Sequence, residues 1–387
     1  FFPWLALRMG AGTLANAPGV SGDPLARWQQ ARIAARLLPL LRGELVIGRV
    51  RVDGLAVHLA RDAGGHGNWA DLGGTGPSSG SLALEQIAGI ELRDGSLDFT
   101  DARSGASYQL RHVQLQTGPW RRGAPFDIKL ALASQPSASL PQATLALVTR
   151  ISRTGDTIRL AHTSFAGRLW YAPLPSEGLE FALESAEVQG DVRGGSITTP
   201  AWTLRTAGAT VHGMTDARLG AAGPAGATQG SLEIRGNATL ERASLRTVLA
   251  KLGITAPPTR DPAALGAVDL TCRYAVSGQN LRVTALALHL DRTVLTGEAS
   301  RALGADAVLE FALHGDQMDL TGYLKPEGLK SEPFELPTAA LRALRARGTL
   351  DLDAARLGEM QLKAVRISLL LDETGLHPAA ALPPAKP

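Results

Sequence analysis

The sequence predicts a mostly β protein, and three observations carry that reading. Alternating apolar and polar runs recur at short intervals along most of the chain. Glycine, at 43 residues, and proline, at 23, supply the frequent turns that many short strands need. Helical spacing is confined to short stretches, so two or three short helices are expected among the strands.

Residues 1–20 read as short extended segments closed by the turn cluster Asn16–Gly19. Asp23-Pro24 offers an N-cap followed by proline at the first helical position, which predicts one or two helical turns through Trp28. In Ala31–Leu37 the residue types favour helix, but Ala31, Ile33, Ala35 and Leu37 alternate strictly. The period decides which face can be buried, so strand is the prediction. After the Leu37–Gly43 corner, Leu45 and Ile47 give way across Gly48 to Val50 and Val52, the one-residue shift of a β-bulge. Asp53-Gly54 then predicts a tight turn into Leu55, Val57 and Leu59, and Asp94-Gly95 within Ile90–Phe99 predicts a hairpin.

Gly73–Ser81 reads as a flexible connector. Strands follow at Tyr108–Leu115, Phe126–Leu132, Thr144–Val148 and Leu179–Leu183, in the manner of an antiparallel meander. Ala217–Gly230 is a second loose connector. In Leu240–Leu252, residues Leu245, Val248, Leu249 and Leu252 recur at helical spacing, with a stop at Gly253 and Pro257-Pro258 beyond. Alternation resumes at Val268 and continues through Leu281–Leu290, Ala307–Leu313, Gly348–Leu352 and Met360–Leu369. A short helix is expected at Thr338–Arg345, and the tail from His377 as unstructured. About eighteen to twenty strands must form a closed barrel, stacked sandwiches or a long curled sheet, and periodicity does not choose among them.

Composition narrows function by exclusion. Lys+Arg of 39 against Asp+Glu of 36 leaves +3, and the basic residues are scattered, which argues against nucleic acid. The single cysteine excludes an internal disulfide framework, and Cys272 shares a face with Val268, Leu270, Tyr274 and Val276 as a small hydrophobe. No stretch approaches the roughly 18 apolar residues of a membrane-spanning helix.

Chemistry-bearing patterns are equally sparse. There is no nucleophile elbow and no close histidine pair, the eight histidines being isolated in sequence. Gly65-His66-Gly67-Asn68-Trp69-Ala70 matches a relaxed dinucleotide string, but no long helix can follow it. A glycine loop pinned by Trp69, with Asn68 bonding backbone locally, is the better reading. Asp94, Asp98 and Asp101, and Asp316 with Asp319, are candidate carboxylate pairs for glycan hydrolysis. Turn-forming and edge-protecting roles explain them with less invention. No catalytic, cofactor-binding or metal-binding residue is therefore assigned.

Several motifs, weak singly but ordered, resemble the AsmA family of bacterial envelope proteins. They are Phe2-Pro3-Trp4-Leu5, Asn16-Ala17-Pro18-Gly19, Leu37–Gly43, Asp53–Leu59, Arg61–Leu72, Leu290–Gly297 and Phe311–Leu324. The resemblance implies an elongated, twisted antiparallel sheet curled into an apolar groove. Residues 1–330 would be the N-terminal groove region, 331–375 the start of the C-terminal-like region, and 376–387 a proline-rich disordered tail. It also implies a Gram-negative periplasmic protein, held at the inner membrane by an N-terminal anchor upstream of this sequence. The expected function is non-enzymatic: shielding phospholipid acyl chains and moving them towards the outer membrane. Leu130 and Leu270 are test positions for the inner face, although the lining face itself is left unassigned. The alternatives are an assembly factor for outer-membrane proteins and, behind it, a β-rich cell-wall hydrolase.

Overall fold

The computed structural model describes residues 4–17, 22–42, 44–70, 83–137, 140–171, 174–219, 232–302, 307–324, 326, 345–372 and 375–378. Among these are 23 strands and two helices. The chain forms two compact units, one of Phe1–Tyr171 with Glu184–Glu187 and the other of Ala172–Leu183 with Val188–Pro387.

The first unit holds β1 (Trp4–Met9), β2 (Gly12–Leu14), β3 (Ala26–Trp28), β4 (Gln30–Arg36), α1 (Leu37–Leu40), β5 (Glu44–Asp53) and β6 (Ala56–Arg61). It continues with β7 (Ala83–Asp101), β8 (Ala106–Thr117), β9 (Trp120–Arg121), β10 (Phe126–Ser134), β11 (Gln142–Thr154) and β12 (Thr157–Trp170). The long β7 is its spine. On one side β5 and then β6 run parallel to β7, one beyond the other. On the other side β8 pairs antiparallel, followed by β10, β11 and β12. The pair β1–β4 extends the sheet from β5, and β2–β3 extends it from β6.

This arrangement overturns the hairpin predicted at Asp94-Gly95, while the tight junction predicted at Asp53-Gly54 is present without being a reversal. The chain passes from β5 to β6 without reversing, and β7 runs unbroken through Asp94-Gly95, where Asp94 takes φ 49 and the register with β8 shifts. The two dipeptides lie side by side: Asp53 faces Arg93 and the Gly54 amide donates to the Arg93 carbonyl at 2.9 Å. An Asp-Gly pair supplies positive φ for a bulge as readily as for a hairpin turn, and a bulge adds twist without reversing the strand. His112, His162 and Ala285 repeat the device, each with positive φ where a ladder shifts register. The bulge read at Gly48 is present, since β5 spends one residue more than β4 between Ile47 and Arg51.

The second unit contains β13 (Leu179–Asp191), β14 (Ser196–Thr206), β15 (Ala209–Leu219), β16 (Leu232–Ala243), α2 (Leu245–Lys251), β17 (Val268–Ser277) and β18 (Asn280–Leu290). Then come β19 (Thr293–Ala302), β20 (Leu309–Asp319), a 3-10 turn at Thr321–Tyr323, β21 (Ala346–Leu357), β22 (Met360–Asp372) and β23 (Gly375–Pro378). From β14 to β20 each strand pairs antiparallel with the next. β20 and β21 are parallel, so the meander expectation fails there as it does at β5, β6 and β7.

Local predictions divide instructively. Ala31–Arg36 is strand, as its period required. The helix predicted after Asp23-Pro24 is absent: Ala26–Trp28 is β3, held between β2 and β6, and sheet pairing overrides the cap signal. α2 begins only at Leu245, where the Ser244 side chain accepts from the Thr247 amide, because Leu240–Ala243 completes β16. Gly375–Pro378 pairs with β22, so ordered chain enters the segment read as tail. The Gly73–Ser81 connector, most of Ala217–Gly230 and the Thr338–Arg345 helix lie outside the described residues.

Candidate functional site

Strand register decides which side chains share a face, and in both units it assembles one apolar face. In the first unit, directly opposed residues form a row across eight strands: Met9, Ala31, Val52, Leu92, Leu115, Leu130, Leu147 and Phe165. In the second, nine strands contribute Leu204, Val211, Leu240, Leu270, Leu288, Leu295, Gly315, Leu352 and Val365. At about 4.8 Å per strand, each row is roughly 30–40 Å long. Leu130 and Leu270, singled out from alternation alone, each lie within one of these rows.

The rows are only partly covered. Val52, Leu92, Leu115, Leu130, Leu147 and Phe165 are all half-buried, as are Leu204, Val211, Leu240, Leu270 and Leu288. Among the described residues, a sealed core appears in the second unit where Leu295 (6% exposed), Leu352 (2%) and Ala355 (3%) pack with Leu313, Met318, Leu350 and Val365. Gly315 permits that closure, because a Cβ there would stand 2.7 Å from Leu295 Cδ2 and 3.0 Å from Leu352 Cδ2. Elsewhere glycines admit rings onto the apolar face: Trp202 lies over Gly213 and Tyr274 over Gly236. Thr215 joins the two, accepting from Trp202 Nε1 at 2.8 Å and bonding the Tyr274 hydroxyl. Cys272 lies on the same face, opposite Ala238, and burial pushes its thiol pKa up.

The opposite face is a ladder of opposed charges. Arg51 faces Glu91 at 2.8 Å, His58 faces Asp98 at 3.5 Å, Asp127 faces Arg150 at 3.1 Å and Asp269 faces His289 at 2.6 Å. Glu310 faces Arg347, and Asp351 faces Arg366 at 2.6 Å. The Arg51 guanidinium, seconded by Arg93, holds the Glu91 carboxyl below its ordinary range. Such cross-strand pairs fix register, and their charges keep this face in water. Of the aspartates considered for glycan hydrolysis, Asp98 belongs here, whereas Asp101 ends β7 in phase with Leu97 and Phe99. Asp98 pairs with Arg111 at 2.7 Å as well as with His58. Asp101 accepts from the Arg103 amide at 2.9 Å, which lowers its pKa, and lies 3.8 Å from Arg61. Asp94 sits in the bulge beside His112. Each of these three carboxylates therefore faces a basic side chain, and none is at an exposed sheet edge, because β7 is paired on both sides. Among the described residues, no group of three His, Cys, Asp or Glu is placed to hold a metal.

Two polar pins lock loops onto the sheets, and both are built from the quoted motifs. Asn68, 2% exposed, accepts from the Ala60 amide at 3.0 Å and donates to the His58 carbonyl at 2.8 Å and Asn16 Oδ1 at 2.9 Å. Its backbone amide donates to Ala60 and its carbonyl accepts from Ala17. Asn68 thus stands in for a neighbouring strand where β3 stops pairing with β6, reaching further than the local turn bond expected of it. Trp69 covers this pin, 6.3 Å from Phe99 and 5.9 Å from the Arg61 guanidinium. In the second unit, Asp291 accepts from the amides of Leu265, Gly266 and Ala267 at 2.7–3.0 Å and from the Tyr323 hydroxyl at 2.6 Å. Burial alone would raise the Asp291 pKa; the Tyr323 hydroxyl and the three amides outweigh it and leave the carboxyl below its usual range. Sequence spacing held no sign that Asp291 and Tyr323 meet.

Fold and faces together define a class: a β protein in which the sheet of each unit has one apolar and one charged face. Comparison with protein families makes that more specific, since the AsmA family model matches residues 1–340. The chain belongs to the AsmA family, and so to the proteins of the bacterial envelope. Neither the curated proteins nor the solved structures include a match. Among the described residues, no helix is long and apolar enough to cross a membrane.

Proposed function

We propose that this chain is a non-enzymatic phospholipid carrier of the Gram-negative periplasm, held at the inner membrane in its full-length form. The apolar face of each unit shelters acyl chains on their way towards the outer membrane. The observation behind this reading is the pair of continuous apolar rows left half-exposed. An ordinary domain covers such a face with a second layer; here a lipid takes that place. An acyl chain lying on an open face hides about half of its surface. Ten covered methylenes then contribute on the order of 4 kcal/mol, enough to hold a chain and to let it move. Headgroups stay in water, so the sheet selects weakly among them.

Native mass spectrometry with lipid extraction, on protein expressed in a Gram-negative periplasm, tests this. Co-purifying phospholipid is expected, and Leu130→Asp or Leu270→Asp should remove it while Lys129→Asp, on the charged face, should not. Lipid-free wild-type protein would overturn the carrier reading in favour of an assembly factor for outer-membrane proteins.

A further inference from the structure

Among the described residues, the most exposed leucines of the first unit gather at one corner. On β1, Leu5 is 60% and Leu7 55% exposed; in and just after α1, Leu38 is 59% and Leu41 76% exposed. β1 pairs with β4, placing Leu5 against Ala35 and Leu7 against Ile33, and α1 continues directly from the end of β4 at Leu37. Leu5 and Leu7 lie on one face of their strand, the face that carries Met9 and the apolar row. Leu38 and Leu41 are three residues apart and so share one side of the turn. α1 buries none of its residues. Soluble surfaces scatter such leucines singly; four together mark a docking surface.

The surrounding charge identifies what docks. Arg8, Arg42 and Arg49 are exposed around the corner, with Glu44 the exposed carboxylate among the described residues of β1, β4, α1 and the start of β5. A second copy of this chain would bring the same arginines against one another, which opposes self-association. Leucines ringed by arginines are the chemistry of a surface that enters the headgroup region of an anionic bilayer.

We propose that the β1–α1 corner is a membrane-docking surface that seats on anionic phospholipid, with Leu5, Leu7, Leu38 and Leu41 reaching the acyl layer. The apolar face begins at this corner, so a docked corner would open that face to the bilayer. This last step rests on the carrier reading; the docking itself does not.

Flotation of the purified 387-residue chain with vesicles tests the proposal. Binding is expected to vesicles of phosphatidylethanolamine with phosphatidylglycerol, and to be weakened by salt. Leu38→Glu combined with Leu41→Glu should lower it about tenfold or more, and the exposure of both side chains keeps the fold out of the comparison. Arg42→Glu should weaken binding to the anionic vesicles and leave the weaker binding to phosphatidylcholine vesicles unchanged. Ile197→Glu and Met360→Glu, at apolar positions of similar exposure elsewhere, should change neither. Equal flotation of the double variant, equal loss in the Ile197 or Met360 variants, or indifference to lipid charge would overturn it. So would a dimer in light scattering that the double variant abolishes without any flotation. Vesicle binding by a protein that carries no lipid would keep the docking surface and remove the carrier.

Discussion

Asn68 gives the sharpest stability prediction. Its side chain makes three hydrogen bonds of 2.8–3.0 Å from a site that is 2% exposed, to the Ala60 amide, the His58 carbonyl and Asn16 Oδ1. Asn68→Ala removes all three and leaves the Ala60 amide and the His58 carbonyl unpaired on the uncovered edge of β6. Each buried group left without a partner costs about 1–3 kcal/mol, so for the two groups a loss of about 2–6 kcal/mol is expected. Asn68→Asp is the more discriminating variant. It keeps the acceptor for Ala60 but turns a carboxylate oxygen towards the His58 carbonyl and Asn16 Oδ1, where the donor had been. That site favours the protonated acid, so its folded pKa lies above the unfolded value of about 3.9. The variant then matches wild type most closely below that value, loses stability as pH rises through the window up to the folded pKa, and stays low above it. Urea unfolding across pH, with hydrogen exchange of residues 56–70, reads both effects. A shift under about 0.5 kcal/mol for Asn68→Ala, or a pH-independent Asn68→Asp, would refute the edge-capping role.

Three further predictions follow from the same geometry. The lowered Asp291 pKa means that its contribution is complete above the unfolded carboxylate range and is lost as pH falls through the folded value; Asp291→Asn should flatten the acid limb of unfolding and release residues 259–267 to exchange. Gly315→Val should cost about 1–3 kcal/mol in thermal melts, since Leu295 and Leu352 already fill the space its side chain needs, whereas Gly278→Asn, in an open turn with positive φ, should cost little. Cys272 is a built-in reporter: burial raises its thiol pKa, so maleimide labelling should be slow near neutral pH and quicken with alkali. Bound phospholipid should slow that labelling further; unchanged labelling after lipid is added would place the acyl chains elsewhere.

The sequence was legible where a signal is local and periodic. Alternation in Ala31–Arg36 overrode helix-forming residues, Gly48 marked its bulge, and the spacing of Leu245, Val248, Leu249 and Leu252 marked a helix with its stop, though not its start. It misled where one local signal serves two long-range outcomes. Asp53-Gly54 and Asp94-Gly95 carry the residues of a hairpin turn, yet the sheet uses the first to pass from β5 to β6 without reversing and the second as a bulge within β7. The Asp94, Asp98 and Asp101 carboxylates are close in sequence, yet their partners His112, His58, Arg111 and Arg61 lie on neighbouring strands, beyond the reach of spacing arguments.

By itself the sequence determined that this is a strand-rich chain of one-face-apolar segments, and its ordered motifs determined the AsmA family. Both follow from short-range chemistry: a period of two separates faces within a strand, and turn residues separate strands. Only the tertiary structure decided that these faces join. Register set Leu130 between Leu115 and Leu147 and Leu270 between Leu240 and Leu288, gathered the charges into cross-strand pairs behind them, and brought Asn16 to Asn68 and Asp291 to Tyr323. Register is a relation between strands, and a one-residue slip would turn either row to the other side.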